Sequence, residues 1–598
     1  MSTHAPPLSV RPVARPTGGR GRPATLPLAL AESRRLLCSL PVLCGAIASA
    51  VLLLRADGGW LPALHLAAIG TQRSLLPLAA GTLVAANLTA LRSRRARTGE
   101  LETSTCTPAW RRTLAYLLAL AAPALLGGVL AVLKLLLLVR GGRAAGTPDA
   151  FELLTGPAVI WLAGTLGVLA ARWLPSVVTA PVLVVLAAVV QLGLPTKGVQ
   201  SYGLALRWLV PAVPLEVSPT VEPELPAFLL GRPSGAHLAF LAAAALAVGA
   251  AAVAGAGTGA RTRLRAGLAG AVALALVACA AQLQPPSRAE ADRLVAAFQH
   301  PERFQACHRR GPVAYCAFPG YEPWIDVWAA TVEGPLEHLP REVARPRLTV
   351  RQMFDDAALD RRLARSLGLP DSGNPGPVHL LGVVAAQDPA PDVVPVDMTW
   401  PTGPAERDAR LALASRVAAR AVMRPSPRGE EPPPRCQAPA VVALWLAASS
   451  THGGKEALRQ ALVTNVALDA GLAPTPELLR ASPAELQRIT QHRSAISFDP
   501  HSGYPVLSWF DPGHEDEGEW GLEEANLAVQ LLERPDAAVR AQLARHWDEL
   551  TAPGTTRQEL AHRLGLPPVP SLEELFTRRG ATRAQAAAAA RAARRQGC

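Results

Sequence analysis

Cys307 and Cys316 lie nine residues apart around Gly311-Pro312 and form the clearest chemical pair in this 598-residue chain. Their spacing suits a hairpin closed by a disulfide in an oxidising compartment. Zinc fits less well, because His308 is the one imidazole nearby. Gly453-Gly454-Lys455 resembles the end of a phosphate loop, yet Glu456 stands where Ser or Thr must meet magnesium, and Ser449 replaces the first Gly. His514-Glu515 opens a zincin-like pattern, but Gly518 occupies the second ligand position. His452 beside Ser449 and Ser450, and Asp499 near His501, do not make a defined catalytic arrangement, so no catalytic residue and no metal ligand is assigned. Trp324 and Trp328 follow Tyr321 four residues apart, which places both on one helix face, where core packing is favoured over a ligand platform.

The elements that must position these groups divide the chain in two. Met1 to Gln284 holds 24 Lys+Arg against 9 Asp+Glu, and Pro285 to Cys598 holds 35 against 38. The basic excess therefore belongs to the apolar half, where flanking Arg holds short loops on the cytoplasmic side, and nucleic acid is not the expected partner. The composition, rich in Ala, Arg, Pro and Gly, suits a high-GC bacterial genome. Apolar spans are expected at about 36–54, 75–91, 114–139, 154–171, 177–194, 238–257 and 266–283. Lys134 is the one charge inside them, near an outer end from which its ammonium can snorkel to the interface. With no Asp, Glu or His relay at mid-span, an ion gradient is not the expected energy source.

Arg92, Arg94, Arg95, Arg97, Arg111 and Arg112 mark one cytoplasmic loop, and Arg261, Arg263 and Arg265 another. An odd count of spans then puts the N-terminus inside and the C-terminal half outside a plasma membrane. The fold class expected is a polytopic α-helical membrane protein of about six to seven transmembrane helices with a C-terminal, mainly helical α+β soluble domain. Residues 1–30 read as a disordered cytoplasmic tail, 31–284 as the membrane domain and 285–598 as the soluble domain. Between 195 and 235 the loop is long, with an apolar stretch at 204–213 that suits either a re-entrant segment or a plain loop. In the soluble half, Thr349 with Gln352, Ser482 with Glu485, Ser571 with Glu574 and Thr582 with Gln585 fit helix starts. Gly368, Gly471 and Gly565, each soon followed by Pro, fit helix stops. Strands are expected at 313–318, 378–384 and 506–510, whereas 388–404 and 424–434 read as linkers.

The loop Gly99-Glu100-Leu101-Glu102-Thr103-Ser104-Thr105-Cys106-Thr107-Pro108, followed by Trp110-Arg111-Arg112, resembles the coupling segment of type-2 ABC transporter permeases, the exporter class. The approach from Ala85 to Arg94 and the opening Glu32-Ser33-Arg34-Arg35-Leu36-Leu37 are similar to that family as well. The resemblance spans about 31–257 and implies a helix docking on a separate ABC ATP-binding subunit. Glu100, Leu101, Glu102, Pro108, Arg111 and Arg112 would carry that contact. This chain departs from the family at Glu102 to Thr105, where leucines are usual. The resemblance further implies that ATP and Mg are bound by the partner, that this chain holds no cofactor, and that permeases pair as homo- or heterodimers in the lipid bilayer. The function expected is therefore transport, not catalysis. The alternative is a membrane-anchored sensor or degenerate peptidase-like protein whose helices tether the C-terminal domain.

Overall fold

A computed structural model describes residues 25–55, 59–96, 108–201, 208–212, 229, 232–256, 261–284, 289, 292–293, 296–297, 300–353, 392–423, 437–469, 475, 477–492, 506–507, 520–571, 573–574, 577 and 582–595. The chain is mostly helical, with an apolar bundle up to residue 282 and a mixed domain with a small sheet beyond 300. In the bundle, α1 (Thr25–Leu37) and α2 (Leu40–Arg55) meet at a 60° bend. Helices α3 (Leu64–Ser74) and α4 (Leu76–Arg95) follow, then α5 (Ala109–Ala119) and α6 (Ala121–Arg140), α7 (Ala150–Trp173), α8 (Thr179–Ser201), α9 (Ser234–Ala254) and α10 (Arg261–Gln282). Among the described residues, five helical runs are long and apolar enough to cross a membrane, or six if the bent α1–α2 pair counts as one span. The apolar part of α8 at Thr179–Gln191 is shorter.

Two boundaries differ from those read in the sequence. Helix α1 begins at Thr25, inside the stretch expected to be disordered, because Ala29, Glu32 and Leu36 share a buried face against the bundle. The expected span 75–91 is continuous with α3, so the apolar run reaches back to Leu64. Its polar residues His65, Thr71, Gln72 and Ser74 hide it from hydropathy, yet all four are buried.

Helices approach closely where glycine removes the side chain. A Cβ on Gly81 would land on the Pro41 carbonyl, one on Gly167 on the Leu83 carbonyl, and one on Gly45 within 2.6 Å of the Pro77 carbonyl. Gly164 and Gly127 likewise face Leu120 and Ile160. Packing within one bundle thus accounts for these small residues. Large apolar side chains on α2, α6, α8 and α10, among them Leu125, Val185 and Leu276, face outward.

In the C-terminal domain, β1 (Ala306–Arg310) pairs antiparallel with β2 (Val313–Ala317), and β2, β3 (Leu348–Met353) and β4 (Val393–Asp397) run parallel in that order. Gly311 takes φ +56° in the β1–β2 turn, a value glycine adopts without strain. Helix α11 (Ile325–Glu337) crosses from β2 to β3. Then come α12 (Pro404–Val422), the buried α13 (Ala438–Ser450), α14 (Gly454–Asp469) and α15 (Pro483–His492). The two-stranded ribbon of β5 (Val506–Leu507) and β6 (Trp520–Gly521) leads into α16 (Leu522–Leu532). The chain continues through α17 (Asp536–Arg545), α18 (Trp547–Leu550) and α19 (Arg557–Arg563) to α20 (Arg583–Arg595). Thr349 and Gln352 lie in β3, not at a helix start, because alternate residues Leu348, Val350 and Gln352 are buried on one sheet face. Residues 393–397 form β4 where a linker was expected: Pro395 is tolerated in that strand, which lies at the edge of the sheet. The expected strand 378–384 and the glycines at 368 and 471 lie outside the described residues.

Ser482 accepts from the Glu485 N–H, and Thr582 exchanges bonds with Gln585 as a capping box does. Gly565, at φ +62°, closes α19. Cys307 and Cys316 face each other across β1 and β2 with Cα atoms 4.0 Å apart, joined by a disulfide. Closing so short a loop restricts the unfolded chain by about 2 to 3 kcal/mol. The double Cys307→Ser, Cys316→Ser variant should therefore lose about that much stability in thermal unfolding, and reductant should reproduce the loss only in the parent protein. A variant as stable as the parent would refute this account.

Candidate functional site

The two halves are stitched at one end of the bundle, which we call the capped end. There Leu61 N–H donates to the Trp400 carbonyl at 2.7 Å, Thr402 N–H to Gly59 at 2.6 Å, and Gly146 N–H to Gly320 at 2.7 Å. Trp324 Nε1 donates to the Arg143 carbonyl at 2.9 Å. Leu61, Ala145 and Leu229 belong to the same buried core as Tyr321, Trp324 and Trp328. Trp324 and Trp328 are thus core residues, with Trp324 in a short 3-10 turn before α11. The division at residue 285 is therefore not a packing boundary, since loops of the bundle complete the core of the C-terminal domain.

Below this cap lies a buried polar cluster. Asp149 caps α7, accepting from Phe151 N–H at 2.8 Å, and receives the Ser234 hydroxyl at 2.7 Å. One turn on, Glu152 points into the bundle. Its Oε2 accepts from Gln72 Nε2 at 2.5 Å and its Oε1 from Arg232 Nε at 2.8 Å. Only 5 % of the Glu152 side chain and 9 % of that of Arg232 are exposed. The Arg232 guanidinium lies 5.0 Å from the centre of the Trp208 ring, which in turn stands 5.8 Å from His237. His237 is held between Gln282 Oε1 at 3.0 Å and the Pro211 carbonyl at 3.2 Å, while Gln282 Nε2 donates to the Trp208 carbonyl. Residues 208–212 are thus tucked against α9 and α10 rather than lying free. A carboxylate, an indole face and neutral amides gathered out of water can hold a cationic group.

The apolar run expected at 154–171 leaves Glu152 outside the span, whereas the structure places it in the first turn of α7. The signal that could have moved it into the helix is Asp149 followed three residues later by Glu152, a helix-start pattern. Lys134, expected to snorkel, is instead buried between helices, 6 % exposed.

At the opposite end of the bundle, Glu32 on α1 is 1 % exposed and accepts from Arg35 at 2.8 Å and from Arg92, at the end of α4, at 3.2 Å. Pro108 has extended backbone (φ −65°, ψ 148°), and its carbonyl accepts from the Arg111 N–H at 3.0 Å, so α5 starts abruptly there. Arg111 stacks 5.2 Å from the centre of the Trp110 ring, and the Arg112 N–H also approaches the Pro108 carbonyl at 3.4 Å. Glu100, Leu101 and Glu102 lie outside the described residues, as do His514, Asp499 and His501.

The remaining candidates do not converge. His452 is exposed, and the hydroxyls of Ser449 and Ser450 bond back to the Leu446 carbonyl. Lys455 pairs with Asp536 at 2.9 Å. Among the described residues, no three His, Cys, Asp or Glu gather as a metal site would require. Comparison with protein-family models, curated proteins and solved structures finds no match to this chain.

Proposed function

We propose that this chain is the membrane-spanning permease subunit of an ATP-driven exporter, energised by a separate ATP-binding subunit. The observation that carries the reading is the polarity of the bundle. The end of α4 and the Pro108 joint lie at one end, and the C-terminal domain caps the other. Positive flanking residues Arg92, Arg111 and Arg112 put the first end in the cytoplasm, where an ATPase can reach it. The cap then lies outside the cell, consistent with the Cys307–Cys316 disulfide. The outward apolar faces suit lipid or a second permease subunit. Because bundle loops are part of the C-terminal core, the helices do more than tether that domain, which favours transport over the sensor reading.

Co-purification in mild detergent should bring down an ATP-binding subunit. The double Glu100→Ala, Leu101→Ala variant should insert normally but lose at least about tenfold in substrate-stimulated ATPase activity of the complex. Reporter fusions at Gly99, Gly259 and Pro301 should show extracytoplasmic activity only at Pro301. A complex without any ATPase, or full coupling in the double variant, removes the exporter reading.

A further inference from the structure

We infer that the buried cluster around Glu152 is a recognition site for an organic cation bearing several N–H donors, such as a guanidinium or primary ammonium group on an apolar body, and that Arg232 plugs it in the structure seen. This inference gives the exporter reading a substrate class and rests on it for its physiological meaning.

The site has the chemistry of a cation receptor whose occupant is supplied by the chain itself. Glu152 contributes both carboxylate oxygens from the first turn of α7, and Trp208 contributes a ring face 5.0 Å from the guanidinium. Carboxylate and indole face together are what a delocalised cation seeks when it leaves water. A second observation points the same way. Gln72 is 1 % exposed, and while its Nε2 serves Glu152, its Oε1 is buried without a hydrogen-bond partner. Buried acceptors without a donor are rare and costly. That oxygen belongs to the same amide as Nε2, so it sits beside the carboxylate, where a ligand with further N–H groups could serve both.

Position makes exchange feasible. Arg232 precedes α9, whose first residue is Ser234, so its withdrawal breaks no bond of the helix ladder. Glu152 and Gln72 instead sit on α7 and α3, which pack together and start beside the loops that the C-terminal domain clamps. The rigid partners thus form the receptor and the residue outside the helices forms the plug. A buried ion pair stabilises little relative to an apolar filling, so stability alone does not require this one.

The test uses the full chain purified in detergent with benzylguanidinium as probe and uncharged benzylurea as its shape control. Arg232→Ala should bind benzylguanidinium at least tenfold more tightly than the parent. Adding Glu152→Gln should abolish that gain, and adding Trp208→Leu should reduce it about fivefold. The same cation should raise the melting temperature of Arg232→Ala, whereas benzylurea should not. Should Arg232→Ala not fold, Arg232→Gln replaces it, since its amide can still donate to Glu152. No gain in affinity in the folded variant, or equal binding of benzylurea, overturns the inference. Equilibrium binding needs no ATPase, so a failure here is distinct from a failure of the exporter reading, which the coupling variant tests alone.

Discussion

Replacing Arg557 by Met should destabilise the C-terminal domain by about 3 to 5 kcal/mol, the usual cost of breaking a buried ion pair by removing one member. Arg557 on α19 is 2 % exposed and donates from Nη1 to Glu524 Oε1 at 3.0 Å, and Glu524 is fully buried in the first turn of α16. The helix N-terminus offers Glu524 some compensation through its free N–H groups, worth at most about 2 kcal/mol. Arg557 also reaches the Pro570 carbonyl at 3.4 Å, so its loss loosens the segment after α19 as well. Because α16 packs on α13, itself almost wholly buried, the effect should spread to the core. Hydrogen exchange at α13 and α16, together with thermal unfolding of the full chain, provides the readout. The double variant Arg557→Met, Glu524→Leu should regain most of the stability, since it removes both members of the buried pair and fills their place with apolar side chains. A single variant within 1 kcal/mol of the parent, or a double variant no better than the single, would show that the pair is not the element holding these helices.

Bulk at the glycine contacts should be the most damaging change in the bundle. Gly81→Val puts a branched side chain onto the Pro41 carbonyl, and Gly167→Val does the same at Leu83, both in helices that cannot yield locally. The expected cost is about 3 kcal/mol or more, the upper end of overpacking penalties, because the obstructing atoms are backbone. Gly270→Ala is the matched control. No atom lies within 4 Å of its added Cβ, so it should be neutral or slightly stabilising through helix propensity. Melting of the purified protein in detergent distinguishes them, and the reverse order of stabilities would remove close glycine packing as the basis of the α2–α4 and α4–α7 contacts.

How much of this was legible beforehand varies with the physics involved. The apolar run at 154–171 falls within α7, the run at 114–139 covers α5 and α6, and the runs from 238 and from 266 begin inside α9 and α10, because a continuous apolar stretch needs no partner to be recognised. Helix α3 escaped, because its polar face looks unsuited to burial until Glu152 on α7 is there to meet Gln72. Thr349 to Gln352 carried a local helix-start pattern that the parallel ladder between β2 and β4 overrode. Cys307 and Cys316 were readable as a pair because the turn between them is local: Gly311-Pro312 reverses the chain with no help from elsewhere.

The segment proposed for coupling and the ionic cluster mark the two extremes. Glu100, Leu101 and Pro108 were found through resemblance and spacing along the chain, whereas Glu152, Arg232, Gln72 and Trp208 are scattered over 160 residues and share no sequence pattern. By itself the sequence determined which segments are apolar helices, where the positive charge lies, and the local caps and turns. All of these depend on neighbours within a few residues. Tertiary structure decided which polar side chains are buried and paired, and it joined loops of the bundle to the C-terminal core. It alone could do so, because the cost of burying Glu152 or Gln72 is offset only by groups that the chain brings near from far along its length.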